Sequence, residues 1–191
     1  QPSNPFTWAS GWKSPIYCDN RKTLSFPEVR SYIRDSFAAL IKELYPEAEM
    51  IAGVATGAIS HGALVADKLQ LPFIYVRSGA KEHGLGNQIE GYYQKGQKVV
   101  VVEDLISTGG SSLNAVRALR EAGCEVLGMV AIFSYEFQKA TDGFNGENCK
   151  LNTLSGYSAL IDTAVKTGYV TDSDVETLKK WREEVNAQMP V

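Results

Sequence analysis

Apolar residues along this chain recur at two spacings, and the spacings alternate. From Pro27, suited to a helix's first turn, Val29, Ile33, Phe37, Leu40 and Leu44 recur on one face until Pro46, which predicts an amphipathic helix. Met50 to Ala55 predicts a strand, closed by the small-residue turn Thr56-Gly57-Ala58. Ala63, Leu64 and Leu69 mark a second helix, and Phe73 to Val76 a second strand. From Arg77 to Gly91 apolar content falls and Gly79, Gly84, Gly86 and Gly91 accumulate, which predicts a mobile loop. The run Val99-Val100-Val101-Val102 then suits a strand covered on both faces, as in a parallel sheet flanked by helices. Leu113, Val116 and Leu119 share a helix face with Gly123 as its stop, and Glu125 to Phe133 is the next strand. Helical patterns return at about Ala159 to Lys166 and Asp174 to Asn186. This alternation predicts an α/β fold with a doubly wound sheet.

At 191 residues, with no repeat, low-complexity tract or break in composition, the chain reads as a single domain spanning residues 1–191. Hydrophobic residues at 44% and charged residues at 21% exclude a disordered or membrane-embedded chain. A net charge of -3 argues against an electrostatic grip on nucleic acid or an anionic membrane, so any anion must be held locally. Cys18, Cys124 and Cys149 are odd in number and widely spaced, which fits core or bystander thiols in a reducing cytoplasm. Gln1 to Pro5 lack the features of a signal peptide, and a start at Gln1 leaves room for a natural segment upstream.

Ligands of such sheets gather at the carboxyl ends of strands, which draws attention to Glu103-Asp104-Leu105-Ile106-Ser107-Thr108-Gly109-Gly110-Ser111-Ser112. A Gly/Ser/Thr turn at a helix start offers unpaired N–H groups and the positive helix end to a phosphate. Neither a dinucleotide-binding G-x-G-x-x-G nor a triphosphate-binding G-x-x-x-x-G-K-[ST] is present, and no lysine occupies the turn. Two carboxylates beside an anion site need a different task, such as holding the vicinal hydroxyls of a ribose or a divalent cation bound to them. A ribose 5-phosphate satisfies both halves. The alternative is an acidic pair on a solvated strand end beside a structural turn.

Val99 to Ser112 resembles the phosphoribosyl pyrophosphate (PRPP) signature of type I phosphoribosyltransferases. Two further segments are similar to orotate phosphoribosyltransferases: Phe6 to Arg21 resembles that family's N-terminal base-binding stretch, and Tyr75 to Gly84 its catalytic loop. With Ala131 to Glu136, the resemblance runs from about Phe6 to the C-terminal helix, and is closer to the form common in Gram-positive-type bacteria than to the enterobacterial one. It implies a mainly parallel, doubly wound sheet, a small hood from residues 1–26 and a mobile catalytic loop. The implied reaction converts orotate and PRPP to orotidine 5'-monophosphate and pyrophosphate, a step of pyrimidine synthesis.

The resemblance also implies roles. Arg77, Lys81 and His83 are the loop's cationic PRPP contacts and catalytic candidates, closing over the neighbouring subunit's site in a homodimer. Without the motif, Arg77 and Lys81 read as solvated loop charges. Glu103 and Asp104 face the ribose hydroxyls; Leu105, Ile106, Ser107, Thr108, Gly109, Gly110 and Ser111 complete the PRPP site. Ser107 also contacts orotate. Tyr17 either stacks near the base or packs in the core, and Lys13 and Arg21 are candidates for orotate's carboxylate. Mg2+ arrives on PRPP, with no protein-built metal cage, and His61 lies far from His83.

The chain departs from the enterobacterial pattern at several points. Tyr135 stands where that form has an arginine for orotate, and Ala9, Ser78 and the Thr56-Gly57 region align with its PRPP-contacting lysines. Backbone N–H groups of Thr56-Gly57-Ala58 are the candidate replacement at the pyrophosphate. Two rival readings share the PRPP loop: a purine-salvage transferase, against which the K-S-P and D-N-R stretches weigh, and a PRPP-sensing regulator, for which no basic helix-turn-helix is found.

Overall fold

Four consecutive valines can all be buried only if a strand is covered above and below. The computed structural model, which describes residues 5–7, 13–77, 79 and 88–188, provides both covers. The elements run β1 (Phe6–Thr7), β2 (Lys13–Ser14), a 3-10 helix (Asn20–Ser25), α1 (Pro27–Leu44), β3 (Met50–Val54), α2 (Ile59–Leu69), β4 (Phe73–Val76) and β5 (Ile89–Glu90). They continue with β6 (Lys98–Ile106), α3 (Gly110–Glu121), β7 (Glu125–Ser134), α4 (Gln138–Gly146), β8 (Leu151–Gly156), α5 (Tyr157–Lys166) and α6 (Asp172–Gln188). The main sheet has the order β5-β4-β3-β6-β7-β8 and is parallel except where β5 returns antiparallel to β4. Val99 and Val101 pack with Leu113, Val116 and Leu119 of α3 and Ala140 and Phe144 of α4. Val100 and Val102 pack with Ile33, Phe37 and Ile41 of α1 and Val65 and Ala66 of α2. The sheet is doubly wound, as the alternation predicts.

The helix faces differ in detail from the periodicity. On α1 the buried stripe is Ile33, Phe37, Ala38 and Ile41, while Val29 is exposed and Leu40 and Leu44 are half-buried. On α2, Ala63 is exposed and the buried face is His61, Gly62, Val65 and Ala66. Small residues are needed there because a Cβ on Gly62 would press into the Phe73 ring and the Gly53 backbone. The pattern also misses α4, β5 and β8. Only Ala140 and Phe144 of α4 are buried, and β8 is an edge strand with one neighbour and a largely polar sequence.

A third apolar cluster joins Phe133, Tyr135 and Phe137 to Tyr157 and Ile161 of α5 and Leu178 and Val185 of α6. Tyr135 stacks on Phe137 at 5.5 Å, and the Trp181 ring meets Tyr135, Phe137 and Tyr157 at 6.2, 5.8 and 5.8 Å. Trp181 Nε1 also donates to the Lys13 carbonyl at 2.7 Å, so α6 carries the N-terminal β-ribbon. Among the described residues no helix is long and apolar enough to cross a membrane.

Trp181→Phe keeps most of the ring packing but leaves the Lys13 carbonyl without this donor. The expected loss is about 1 kcal/mol of unfolding free energy in urea titrations. An unchanged midpoint would show that the bond to Lys13 contributes nothing.

Candidate active site

The crossover through α2 carries the chain from β3 to β4 on one side, whereas β6 lies on the other side of β3. Loops leaving the carboxyl ends of β3 and β6 therefore diverge and open a crevice at the switch point. A cleft of about 660 Å³ sits there. Its floor is Val54 to Gly57 after β3 and Glu103, Asp104, Leu105, Ser107 and Ser111 around the end of β6. Its other wall is Thr7, Tyr17, Cys18, Asp19 and Arg21 of the N-terminal segment, with Tyr135 after β7. The fold thus gathers three sequence-distant motifs around one cavity.

One end of the cleft is built for an anion. Gly109 adopts φ 81°, ψ -3°, a left-handed conformation that a β-carbon disfavours, and turns the chain into α3. The helix start has no side-chain cap, and its first backbone bond runs from Leu113 N–H to the Gly109 carbonyl at 2.9 Å. The preceding N–H groups therefore have no partner within the helix. Ser107 and Thr108 are half-buried and Ser111 is exposed at this mouth. The Ile106 side chain is wholly buried in the apolar core, and its carbonyl accepts from Tyr135 N–H.

The acidic pair divides into two roles. Glu103 is 4% exposed, accepting from Ser112 Oγ at 2.8 Å and from Asp104 N–H at 2.9 Å. Burial, then the neighbouring Asp104, push its carboxyl well above the ordinary carboxylate range. Asp104 is half-buried and its carboxylate lies against Gly57, where any β-carbon would overlap it. The Ala55–Thr56 peptide just before Gly57 is cis. Asp104 is thus the carboxylate presented across the floor, while Glu103 ties β6 to the start of α3.

On the opposite wall, the Asp19 carboxylate caps the 3-10 helix through Arg21 N–H at 3.3 Å and also accepts from Arg21 Nε at 2.7 Å. The hydrogen bond from Arg21 holds the Asp19 carboxyl below its usual range. Tyr17 is 54% exposed, its ring 5.6 Å from that of Phe6, so it does not pack in the core. Lys13 lies in a separate groove with Trp181 and Glu184, away from the cleft. Tyr135 is fully buried, its hydroxyl accepting from Cys18 N–H at 3.3 Å, and burial pushes its phenol up to about 12. Burial likewise pushes the Cys18 thiol up to about 11, and it donates to Asn20 Oδ1.

The loop cations are not all brought to this cavity. Arg77 sits at the end of β4, outside the cleft lining, with Nη1 3.6 Å from Glu90 Oε1. Lys81 and His83 lie outside the described residues. Ser112, the last residue of the hydroxyl turn, lies under Glu103, and two residues joined to the site escaped the pattern: Asn20 and the buried His61, whose titration burial lowers and proximity to the Asn20 main chain and Asp104 partly restores. The D-N-R string could have flagged Asn20; nothing in the sequence marks His61. Among the described residues no cluster of three or more His, Cys, Asp or Glu side chains could hold a metal ion.

A phosphoribosyl transferase domain model matches residues 27–154, the segment that carries both floors of the cleft. The chain is 58% identical to an orotate phosphoribosyltransferase of Bacteroides fragilis over 184 residues, covering 96% of this chain and 87% of that protein. It is 61% identical to an orotate phosphoribosyltransferase of Lactococcus lactis subsp. cremoris, covering 95% and 87%. Among solved structures, an orotate phosphoribosyltransferase from Aeropyrum pernix superposes with a TM-score of 0.76 at 28% identity, covering 87% of this chain and 92% of that one.

A carboxyl raised in the folded state stabilises the protein fully below its unfolded value, here 4.5, and that contribution is lost as pH rises toward the folded value. Glu103→Gln keeps a neutral group at this position and removes the dependence. Thermal unfolding between about pH 5 and pH 8 should show the variant gaining on the parent as pH rises. A gap independent of pH would mean that Glu103 titrates normally.

Proposed function

The chain belongs to the orotate phosphoribosyltransferases of the phosphoribosyl transferase family, and we propose that its switch-point cleft is the two-substrate site, with PRPP on the β6 floor and orotate under the N-terminal wall. The reaction transfers the 5-phosphoribosyl group of PRPP to orotate, giving orotidine 5'-monophosphate and pyrophosphate in pyrimidine biosynthesis. The observation that carries the site assignment is the uncapped start of α3 beside the Asp104 carboxylate, an anion cradle next to a hydroxyl acceptor.

In this reading the N–H groups of Thr108 to Ser111 and the hydroxyls of Ser107, Thr108 and Ser111 hold the 5-phosphate. Asp104 accepts from the ribose hydroxyls, and its negative charge lies near the anomeric carbon as that centre becomes oxocarbenium-like. Glu103 holds Asp104 and Ser112 in register from below. Backbone N–H groups of Thr56 and Gly57 face the pyrophosphate, whereas the Ala58 N–H of the same turn is taken by the Val54 carbonyl at 3.0 Å. Tyr17 and Arg21 flank orotate, with the Arg21 guanidinium the candidate for its carboxylate and Asp19 orienting that guanidinium. The wall and floor together hold the orotate ring nitrogen on the face opposite the departing pyrophosphate.

The Asp104 carboxylate presents hard oxygen donors in an open cleft, which fits a hydrated magnesium ion carried on PRPP rather than one caged by protein. Bound there, it neutralises charge on the pyrophosphate. Arg77, Lys81 and His83 add further positive charge. Arg77 lies outside the lining of its own cleft, and in this reading the loop serves the neighbouring subunit of a homodimer. The reading places this reaction in the cytoplasm, with no nucleic acid or membrane as partner.

Consumption of the base, followed by its ultraviolet absorbance with PRPP and magnesium, should be seen with orotate, stop without the metal, and not be seen when adenine, hypoxanthine or uracil is supplied instead. Lys81→Ala should lower kcat by about 100-fold with PRPP affinity within about threefold, since charge develops on the leaving group; equal losses in both would remove that role. Mixing Lys81→Ala with Asp104→Asn protein and allowing subunits to exchange should restore about a quarter of parental activity if loops serve the partner's cleft. Recovery of none would place each loop over its own site.

A further inference from the structure

Asn20 is a buried polar residue with no task in the scheme above. It is 8% exposed within a 3-10 helix whose N-terminal flank, Tyr17 to Asp19, and neighbour Arg21 line the cleft, although Asn20 does not. Its side chain instead crosses to the other substrate's half of the site: Nδ2 donates to the Asp104 carbonyl at 2.6 Å. Oδ1 accepts from Cys18 Sγ at 3.4 Å, and its main-chain oxygen accepts from Thr23 Oγ1 at 2.5 Å. The amide is thus oriented from both ends, with its donor aimed at β6.

The receiving end is equally constrained. Asp104 gives its N–H to Glu103, its carbonyl takes the Asn20 amide, and its carboxylate lies against the bare backbone of Gly57. Other supports of the N-terminal segment run elsewhere: Cys18 N–H to Tyr135 after β7, and the Lys13 carbonyl to Trp181 on α6. Neither reaches the ribose floor. The bond is part-buried, with Asn20 the buried partner, and its removal leaves the Asp104 carbonyl without this donor.

We infer that Asn20 is a positioning residue for orotate: through the Asp104 carbonyl it sets the base-side wall, Tyr17 to Arg21, at a fixed distance from the ribose-side carboxylate. This rests on the two-substrate reading of the cleft. PRPP alone needs only the floor, which Glu103, Ser112 and Gly57 hold without Asn20. Orotate needs wall and floor in register with each other. Loss of the Asn20 amide therefore weakens orotate capture selectively.

The test measures steady-state constants for orotate, and PRPP binding by calorimetry without orotate, for Asn20→Ala, the isosteric Asn20→Asp and Thr23→Val. The alanine and aspartate variants should raise the orotate KM by about tenfold, with kcat and PRPP Kd within about threefold of the parent. Thr23→Val loosens the same 3-10 helix without touching Asp104 and should leave the orotate KM within about threefold. An unchanged orotate KM, an equal loss of PRPP affinity, or a Thr23→Val variant that reproduces the full effect would overturn the inference. So would failure of both Asn20 variants to fold, which would make the residue structural. A parent enzyme without orotate turnover would instead overturn the function, and that assay is read before any variant.

Discussion

A strand with Val99 and Val101 against one layer of helices and Val100 and Val102 against the other has no solvated face on which to place a polar group. Polar chemistry on β6 is therefore confined to its carboxyl end, where the strand outruns the helices. Glu103 marks the transition. It still lies within the buried length of the strand, and so is a carboxyl tied to Ser112 and the Asp104 main chain rather than one offered to solvent. Asp104, one residue on, is offered to the cleft. The same confinement makes Ser107 to Ser111 the first residues free to turn, and the left-handed Gly109 lets them turn directly into α3.

Substrates carrying phosphate, pyrophosphate and carboxylate must bind a chain with a net charge of -3. The bulk field does not help, so every anion requires a local device. In the proposed site the device for the 5-phosphate is a helix start, whose N–H groups cost no side-chain charge. On the proposed base side it is Arg21, held on Asp19 at the cleft rim. Tyr135 contributes structure instead of charge: its ring anchors the aromatic cluster under α6 and its hydroxyl holds Cys18, so the position that is cationic in the enterobacterial pattern here supports the wall.

Much of the fold was legible because the buried segments are long and strongly patterned. The valine strand, α1 and α3 have apolar residues at a single spacing, and the strand–helix alternation leaves few topologies. Weakly patterned elements were lost: α4 buries only Ala140 and Phe144, and β8 is a polar edge strand. Boundaries of buried faces slipped as well. Val29 and Ala63 match a helical repeat but point to water, because the face a helix buries depends on where its neighbours stand, which periodicity alone does not record.

For the site, the local order of residues determined the cradle. Acidic pair, hydroxyl turn, paired glycines and helix start are contiguous, so their chemistry follows from short-range geometry alone. What lies across the cavity is not contiguous. Only the tertiary structure turned Tyr17 and Arg21 toward the cleft, sent Lys13 to Trp181, drew Ile106 inward and brought the Asn20 amide to the Asp104 carbonyl. Those outcomes depend on how the N-terminal segment packs against β6, β7 and α6, a balance of burial and hydrogen bonding between residues as many as 168 positions apart, which no local pattern encodes.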